Sequence, residues 1–191
     1  MRDFEDYCWR DLLTPEMVSI YSAYHRERTV RPQSALVVVH PPRGIEIGTG
    51  PWSENVRRVS DAFRNLGLAV IHSVRPGEGC DERLGARPDE TICNRTTESA
   101  FLFTDLEAHL TRARARGVVL CGAPMSGALR ATAVEAKSFG YKTAIPEDST
   151  GDEAALLRKV ALFDVAHKYA DVMTTDEIIE VLTKNSGAAA A

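Results

Sequence analysis

Apolar positions recur along this chain in two alternating styles. Continuous, largely β-branched runs occupy Ser34–His40, Leu68–Val74 and Val118–Leu120, with shorter ones at Thr143–Ile145 and Val172–Met173. Such runs suit strands buried on both faces of a parallel sheet. Between them the apolar period lengthens to that of a helix. Over Ser53–Leu66, the side chains of Val56, Val59, Ala62, Phe63 and Leu66 share one face, and Gly67 stops the run. Further helices are predicted from the Thr104 cap through His109, from Ala128 onward, over Glu153–Ala166, and over Asp176–Thr183 with a cap near Thr175. Thr91–Asn94 reads as a short extended piece. This alternation predicts an α/β domain: three layers, α/β/α, around a central parallel sheet.

The domain is expected over residues 34–184. Residues 1–33 read as an N-terminal arm, with a short amphipathic helix opening at Pro15 and capped by Thr14. The charged segment 24–32 is expected to wind over the surface or a neighbouring subunit, with His25 solvated. Residues 185–191, small and polar, read as a flexible tail. The long Gly/Pro-rich loop from Arg75 to Glu90 is of the kind that borders sites.

Composition narrows the function. The chain has 191 residues and a net charge of −4, and its basic residues are not gathered into one run, so a nucleic-acid surface is not expected. No apolar run reaches membrane-spanning length, and the acidic N-terminus has no signal-like apolar stretch, so a cytoplasmic protein is expected. Cys8, Cys80, Cys93 and Cys121 form no C-x-x-C pair. Cys121 reads as core, whereas Cys80 and Cys93 are placed near a rim where either could be an exposed thiol.

Candidate chemistry gathers at Gly117–Gly140. A buried strand there breaks at Gly122, Pro124 and Gly127 into a tight turn, and a helix follows in which Ala131, Ala133 and Ala136 permit close packing. A turn leaving the carboxyl end of a parallel strand is where α/β proteins build sites. Its amides could hold a carboxylate or an oxyanion, which singles out Ala123, Pro124, Ser126 and Gly127.

That turn, Gly122-Ala-Pro-Met-Ser-Gly-Ala-Leu-Arg-Ala-Thr-Ala-Val-Glu-Ala136, resembles the nucleophile turn of the isochorismatase-like cysteine hydrolases, among them N-carbamoylsarcosine amidohydrolase, maleamate amidohydrolase and nicotinamidase. Ser99-Ala-Phe-Leu-Phe-Thr-Asp-Leu106 is similar to that family's S-A-F-x-G-T-D-L. Leu162–Val172 is similar to its L-F-D-x-x-x-K-Y-A-D-V, and Trp9–Leu12 with Ile20–Arg28 to arms of the carbamoylsarcosine and maleamate branch. The resemblance implies an isochorismatase-like, Rossmann-like fold. It also implies a catalytic Asp, Lys and Cys, and these fall on His40, Arg95 and Ala128. A methyl group cannot attack a carbonyl. The isochorismatases proper lack the cysteine but keep the acid and the lysine; here all three have changed. The family's cis peptide falls at Ala123–Pro124, where proline lowers the cis cost from about 3–4 to about 0.5–1 kcal/mol. A histidine of the late loop falls on Arg158.

Several readings of these residues stay open. His40, made neutral by a nearby Arg95, could act as a base or be a hydrogen-bonded remnant. Arg95 could clamp a carboxylate or satisfy Glu98 or Asp148. Ser126 is a conceivable nucleophile with no evident base. His72 lacks companions and the D-x-H…H spacing of nicotinamidases is absent, so no metal site is expected, and no cofactor. The reading that follows is a catalytically inactive homologue. It would serve as a structural or regulatory partner, as a homo-oligomer or beside an active paralogue, or bind a small carboxylate or amide. The alternative is a divergent hydrolase of C–N or vinyl-ether bonds that uses His40 with Arg95.

Overall fold

A computed structural model describes residues 6–21, 28–48 and 50–188. Among these described residues, six strands form one sheet: β1 Ser34–Val39, β2 Val70–Val74, β3 Thr91–Asn94, β4 Gly117–Gly122, β5 Lys142–Pro146 and β6 Asp171–Met173. Their spatial order is β3-β2-β1-β4-β5-β6, and every pairing is parallel. Six helices accompany them: α1 Pro15–Tyr21, α2 Trp52–Asn65, α3 Leu106–Arg112, α4 Arg130–Ser138, α5 Ala155–Lys168 and α6 Thr175–Ala188. A π-helical turn, Met125–Leu129, leads into α4.

The strand alternation of side chains divides the core in two. Leu36 and Val38 point to the face covered by α2 and α6, where Trp52, Val56, Val59, Phe63, Ile178 and Leu182 are buried. Val37 and Val39 point to the face covered by α3, α4 and α5, with Leu106, Leu110, Ala133, Ala136, Leu162 and Val165. Each fully buried Val, Leu or Phe contributes about 1.5–3 kcal/mol, so the two stripes hold the sheet between its helical layers.

Most expected elements are present, with shifted ends. β2 opens at Val70 rather than Leu68, and α6 continues past Thr183 to Ala188, so the predicted tail is helical up to that residue. The helix expected from Ala128 begins instead as the π turn. Thr14 caps α1 as expected, its hydroxyl accepting from the Met17 amide at 3.3 Å. The N-cap of α3 is Asp105 rather than the expected Thr104, whose hydroxyl accepts from the Leu106 amide at 3.2 Å. The arm packs on its own domain, with Trp9 buried edge-on against Phe163 of α5 and the Cys8 amide donating to Glu147. His25 and residues 189–191 lie outside the described residues. Among those described, no helix is long and apolar enough to cross a membrane.

Candidate functional site at the strand switch point

The strand order reverses between β1 and β4, so the crevice at their carboxyl ends is the topological place for a site. The backbone ladder carries His40 and Arg95 just past their strands: the His40 amide donates to Ser73 O and the Arg95 amide to Val74 O. Parity then separates their side chains. His40 follows Leu36 and Val38 toward the α2 face, whereas Arg95 follows Cys93, which is buried on the α4 face. The two residues meet only through backbone: Arg95 Nη2 donates to the carbonyl of His40 at 2.8 Å.

The His40 ring is committed elsewhere. The Asp81 amide donates to its Nδ1 at 2.8 Å, which leaves the ring proton on Nε2. That Nε2 lies 2.9 Å from His72 Nδ1. His72 in turn places Nε2 2.9 Å from Glu90, and Glu90 also accepts from Arg64 Nε and Nη2 and from the Arg87 amide. One direction of donation satisfies the whole series: Asp81 amide to His40, His40 to His72, His72 to Glu90. Burial, and then the neighbouring His72, push His40 down to about 3, with Arg95 adding only a smaller push. Burial also lowers His72, against the pull of Glu90. For Glu90 burial works upward, but Arg64, the Arg87 amide and His72 outweigh it and hold the carboxyl at about 2. The series therefore rests as two neutral imidazoles on a carboxylate.

Arg95 is 1 % exposed and forms neither of the ion pairs anticipated for it. Glu98 pairs with Arg75, and Asp148 accepts from Thr175 and Asn55. Arg95 Nε and Nη1 are buried without a hydrogen-bond partner. Burial and the nearby Arg75 lower its affinity for its proton.

The turn after β4 is closed on itself. Gly122 sits at φ +112°, and a Cβ there would lie 2.0 Å from Val39 O, so only glycine fits. The Ala123–Pro124 bond is cis. The Ala123 amide donates to Val39 O, that of Met125 to Gly151 O, and that of Ser126 to Asp152 at 2.6 Å. Ser126 Oγ also donates to Asp152, which accepts in addition from the Glu153 amide. Asp152 thus caps the π turn, and the hydroxyl belongs to that cap. Gly127 packs between Glu98 and Pro124, and Ala128 is fully buried among apolar side chains. Beside the turn lies a cavity of about 270 Å³ lined by Trp52, Thr150, Asp152 and Arg158 among others. Arg158 Nη1 donates to the carbonyl of Glu147.

Residues 49–177 match the family model described as the isochorismatase domain. The chain belongs to the isochorismatase family. It is 30% identical over 102 residues to the N-carbamoylsarcosine amidase of an Arthrobacter species, covering 53% of this chain and 39% of that one. It is 31% identical over 106 residues to the maleamate amidohydrolase of Pseudomonas putida, covering 56% of this chain and 50% of that one. The isochorismatase-family chain thus matches half or less of the length of these curated relatives. An isochorismatase family protein from Burkholderia thailandensis superposes with a TM-score of 0.74 at 21% identity, over 82% of this chain and 98% of that one. That likeness concerns the fold.

Within this isochorismatase-family chain the series through His72 and Glu90 was not anticipated, nor was the Asp152 cap. The first had a signal in sequence: two histidines on consecutive strands, His40 just past β1 and His72 within β2. Register pairs Val38 with His72, which brings His40 alongside. Cys93, expected near a rim, is fully buried, whereas Cys80 is half-buried, its thiol pushed up by burial and by Glu90.

Proposed function

We propose that this isochorismatase-family protein is catalytically silent and serves as a structural or regulatory partner, in a homo-oligomer or beside an active paralogue. The observation that carries this reading is the state of the three positions where the family's Asp, Lys and Cys fall. They are 2 %, 1 % and 0 % exposed at His40, Arg95 and Ala128, and both ring nitrogens of His40 are engaged. Acyl transfer needs an accessible nucleophile and a base within its reach. Ala128 offers no nucleophile, the imidazole is turned to the opposite face, and the turn amides of Ala123, Met125 and Ser126 are spent on protein acceptors rather than free for an oxyanion. The His40–Arg95 hydrolase is disfavoured on the same ground, because the pair shares a backbone contact and not a reacting centre. A second reading, a small carboxylate or amide ligand, is supported by Arg95, whose buried Nε and Nη1 have no hydrogen-bond partner.

The test is turnover of N-carbamoyl amino acids, maleamate and nicotinamide by the purified protein. None is expected, and turnover lost in His40→Ala would overturn the reading. The triple change His40→Asp, Arg95→Lys, Ala128→Cys is expected to introduce amide hydrolysis, which shows whether only these groups were lost. Calorimetric titration with small carboxylates, with Arg95→Met as control, tests the second reading.

A further inference from the structure

We propose that His40, His72 and Cys80 form a zinc site on the α2 face, separate from the Arg95–Ala128 region. A ring nitrogen of each histidine and the Cys80 sulfur all lie within 4.8 Å of one another. Two imidazoles and one thiol are a donor set that suits Zn²⁺. A tetrahedral ion with about 2.0–2.1 Å to nitrogen and about 2.3 Å to sulfur holds its ligand atoms roughly 3.3–3.8 Å apart. The histidine nitrogens, at 2.9 Å, need to part by only a few tenths of an ångström.

Metal-binding histidines commonly donate their other ring N–H to a carboxylate, and His72 already does so. Glu90, ionised and fixed by Arg64 and the Arg87 amide, accepts from His72 Nε2. The lone pair of His72 Nδ1 is thereby aimed at His40 and Cys80. What fills that direction now is the Nε2 proton of His40, held there because the Asp81 amide occupies Nδ1. Asp81 directly follows Cys80, in a loop where Gly77 and Gly79 take positive φ. Moving Cys80 onto the ion draws that amide away from Nδ1. The His40 proton then relocates from Nε2 to Nδ1, and the Cys80 thiol releases one proton to solvent. Three protein ligands leave a fourth position for water, and Cys80 also lines a cavity of about 300 Å³ with Pro42, Gly79 and Asp81. His40 remains engaged in either state, so the silence proposed above does not depend on the ion.

Cobalt(II) titration of the full chain, stripped with chelator and reduced, tests the site by its thiolate-to-cobalt charge-transfer band. One equivalent per chain should bind with that band and tetrahedral d–d bands, and Zn²⁺ should displace it. Cys80→Ser, a change in a half-exposed loop, should abolish the band while leaving the circular dichroism intact. Cys8→Ser should keep it. Glu90→Gln should weaken binding about 10–100-fold. A wild-type chain without the band, or a band that survives in Cys80→Ser, overturns the proposal and leaves a histidine pair that is hydrogen-bonded only. His72→Asn should likewise lose the band, and a band that persists in it overturns the site; should that variant fail to fold, the cysteine variants decide alone.

Discussion

On the α2 side of β1, buried polar groups run from the Asp81 amide through His40, His72 and Glu90 to Arg64, and every donor meets an acceptor. Across the same strand, Arg95 is equally buried and makes one side-chain hydrogen bond, with Nε and Nη1 unmatched. His40 and Arg95 both stand just past the carboxyl ends of their strands, but the satisfied series runs from there through mid-strand His72 to Glu90, which precedes β3. Two imidazoles could be buried cheaply because each is neutral and both nitrogens can be used. A guanidinium cannot shed its charge, so it needs acceptors on all sides, and here it lacks them. Polarity at the switch point is thus tolerated where the hydrogen-bond count closes, and stays a liability, or an opening for an anion, where it does not.

The sharpest way to break this contrast is to remove the anchor of the satisfied region. Glu90→Leu takes the buried carboxylate from Arg64, whose side chain is 10 % exposed and keeps only Asp61 and the Gly85 carbonyl, and leaves the His72 N–H without an acceptor. Losing one partner of a largely buried ion pair costs about 3–5 kcal/mol, to be read from urea denaturation midpoints. The opposite sign is expected at Arg95. Arg95→Met removes an unmatched buried cation and keeps its volume, so it should be neutral or stabilise by about 1–4 kcal/mol. A loss comparable to that of Glu90→Leu would mean that Arg95 has protein partners after all, and the two regions would then be alike.

The sheet was legible because its strands are uninterrupted apolar runs, and the switch-point turn because Gly122 and Pro124 break such a run. The positions matched to the family were legible too, but their directions were not. Whether His40 faces Arg95 or His72 depends on the pleat and on the register that pairs Val38 with His72, and neither is written in local spacing. The Asp152 cap was hidden for a similar reason: it joins the loop after β5 to the turn after β4, 26 residues apart. Glu98, three residues on, was one of the partners open to Arg95, yet Arg75 of the neighbouring strand end holds that carboxylate.

A smaller effect should appear with pH, and only in the histidine region. Burial holds His40 at about 3, below its ordinary 6.5, and His72 is lowered as well. The folded chain therefore keeps both rings neutral while the unfolded chain takes up protons below about 6.5. The stability that this neutrality supports is complete above the unfolded value and is lost as pH falls toward the folded one. Each ring contributes a slope of up to about 1.4 kcal/mol per pH unit. Glu90, held at about 2 against an ordinary 4.5, adds a loss of the same sign at lower pH. Midpoints measured at pH 7.5, 6.5 and 5.5 should decline in that order. His40→Leu should lower the slope by about one proton, and an unchanged slope would show that the ring is not buried neutral.

The smallest expected change is at Ser126, and it bears on whether the turn is structural or reactive. Its hydroxyl donates to Asp152 at 3.1 Å, but the same carboxylate also holds the Ser126 and Glu153 amides. Ser126→Ala removes one of three bonds and leaves the carboxylate with two donors, so the loss should be about 1 kcal/mol. Asp152→Ala strips all three donors at once and should cost more, because two amides at the mouth of the π turn are then left without their acceptor. If the hydroxyl served as a nucleophile with Asp152 as its base, both variants would instead abolish labelling of the native chain by a serine-directed fluorophosphonate. A cap gives no labelling in any of the three chains, together with graded losses of stability. Labelling of the wild type that disappears in both variants would move Ser126 from the frame of the turn into its chemistry.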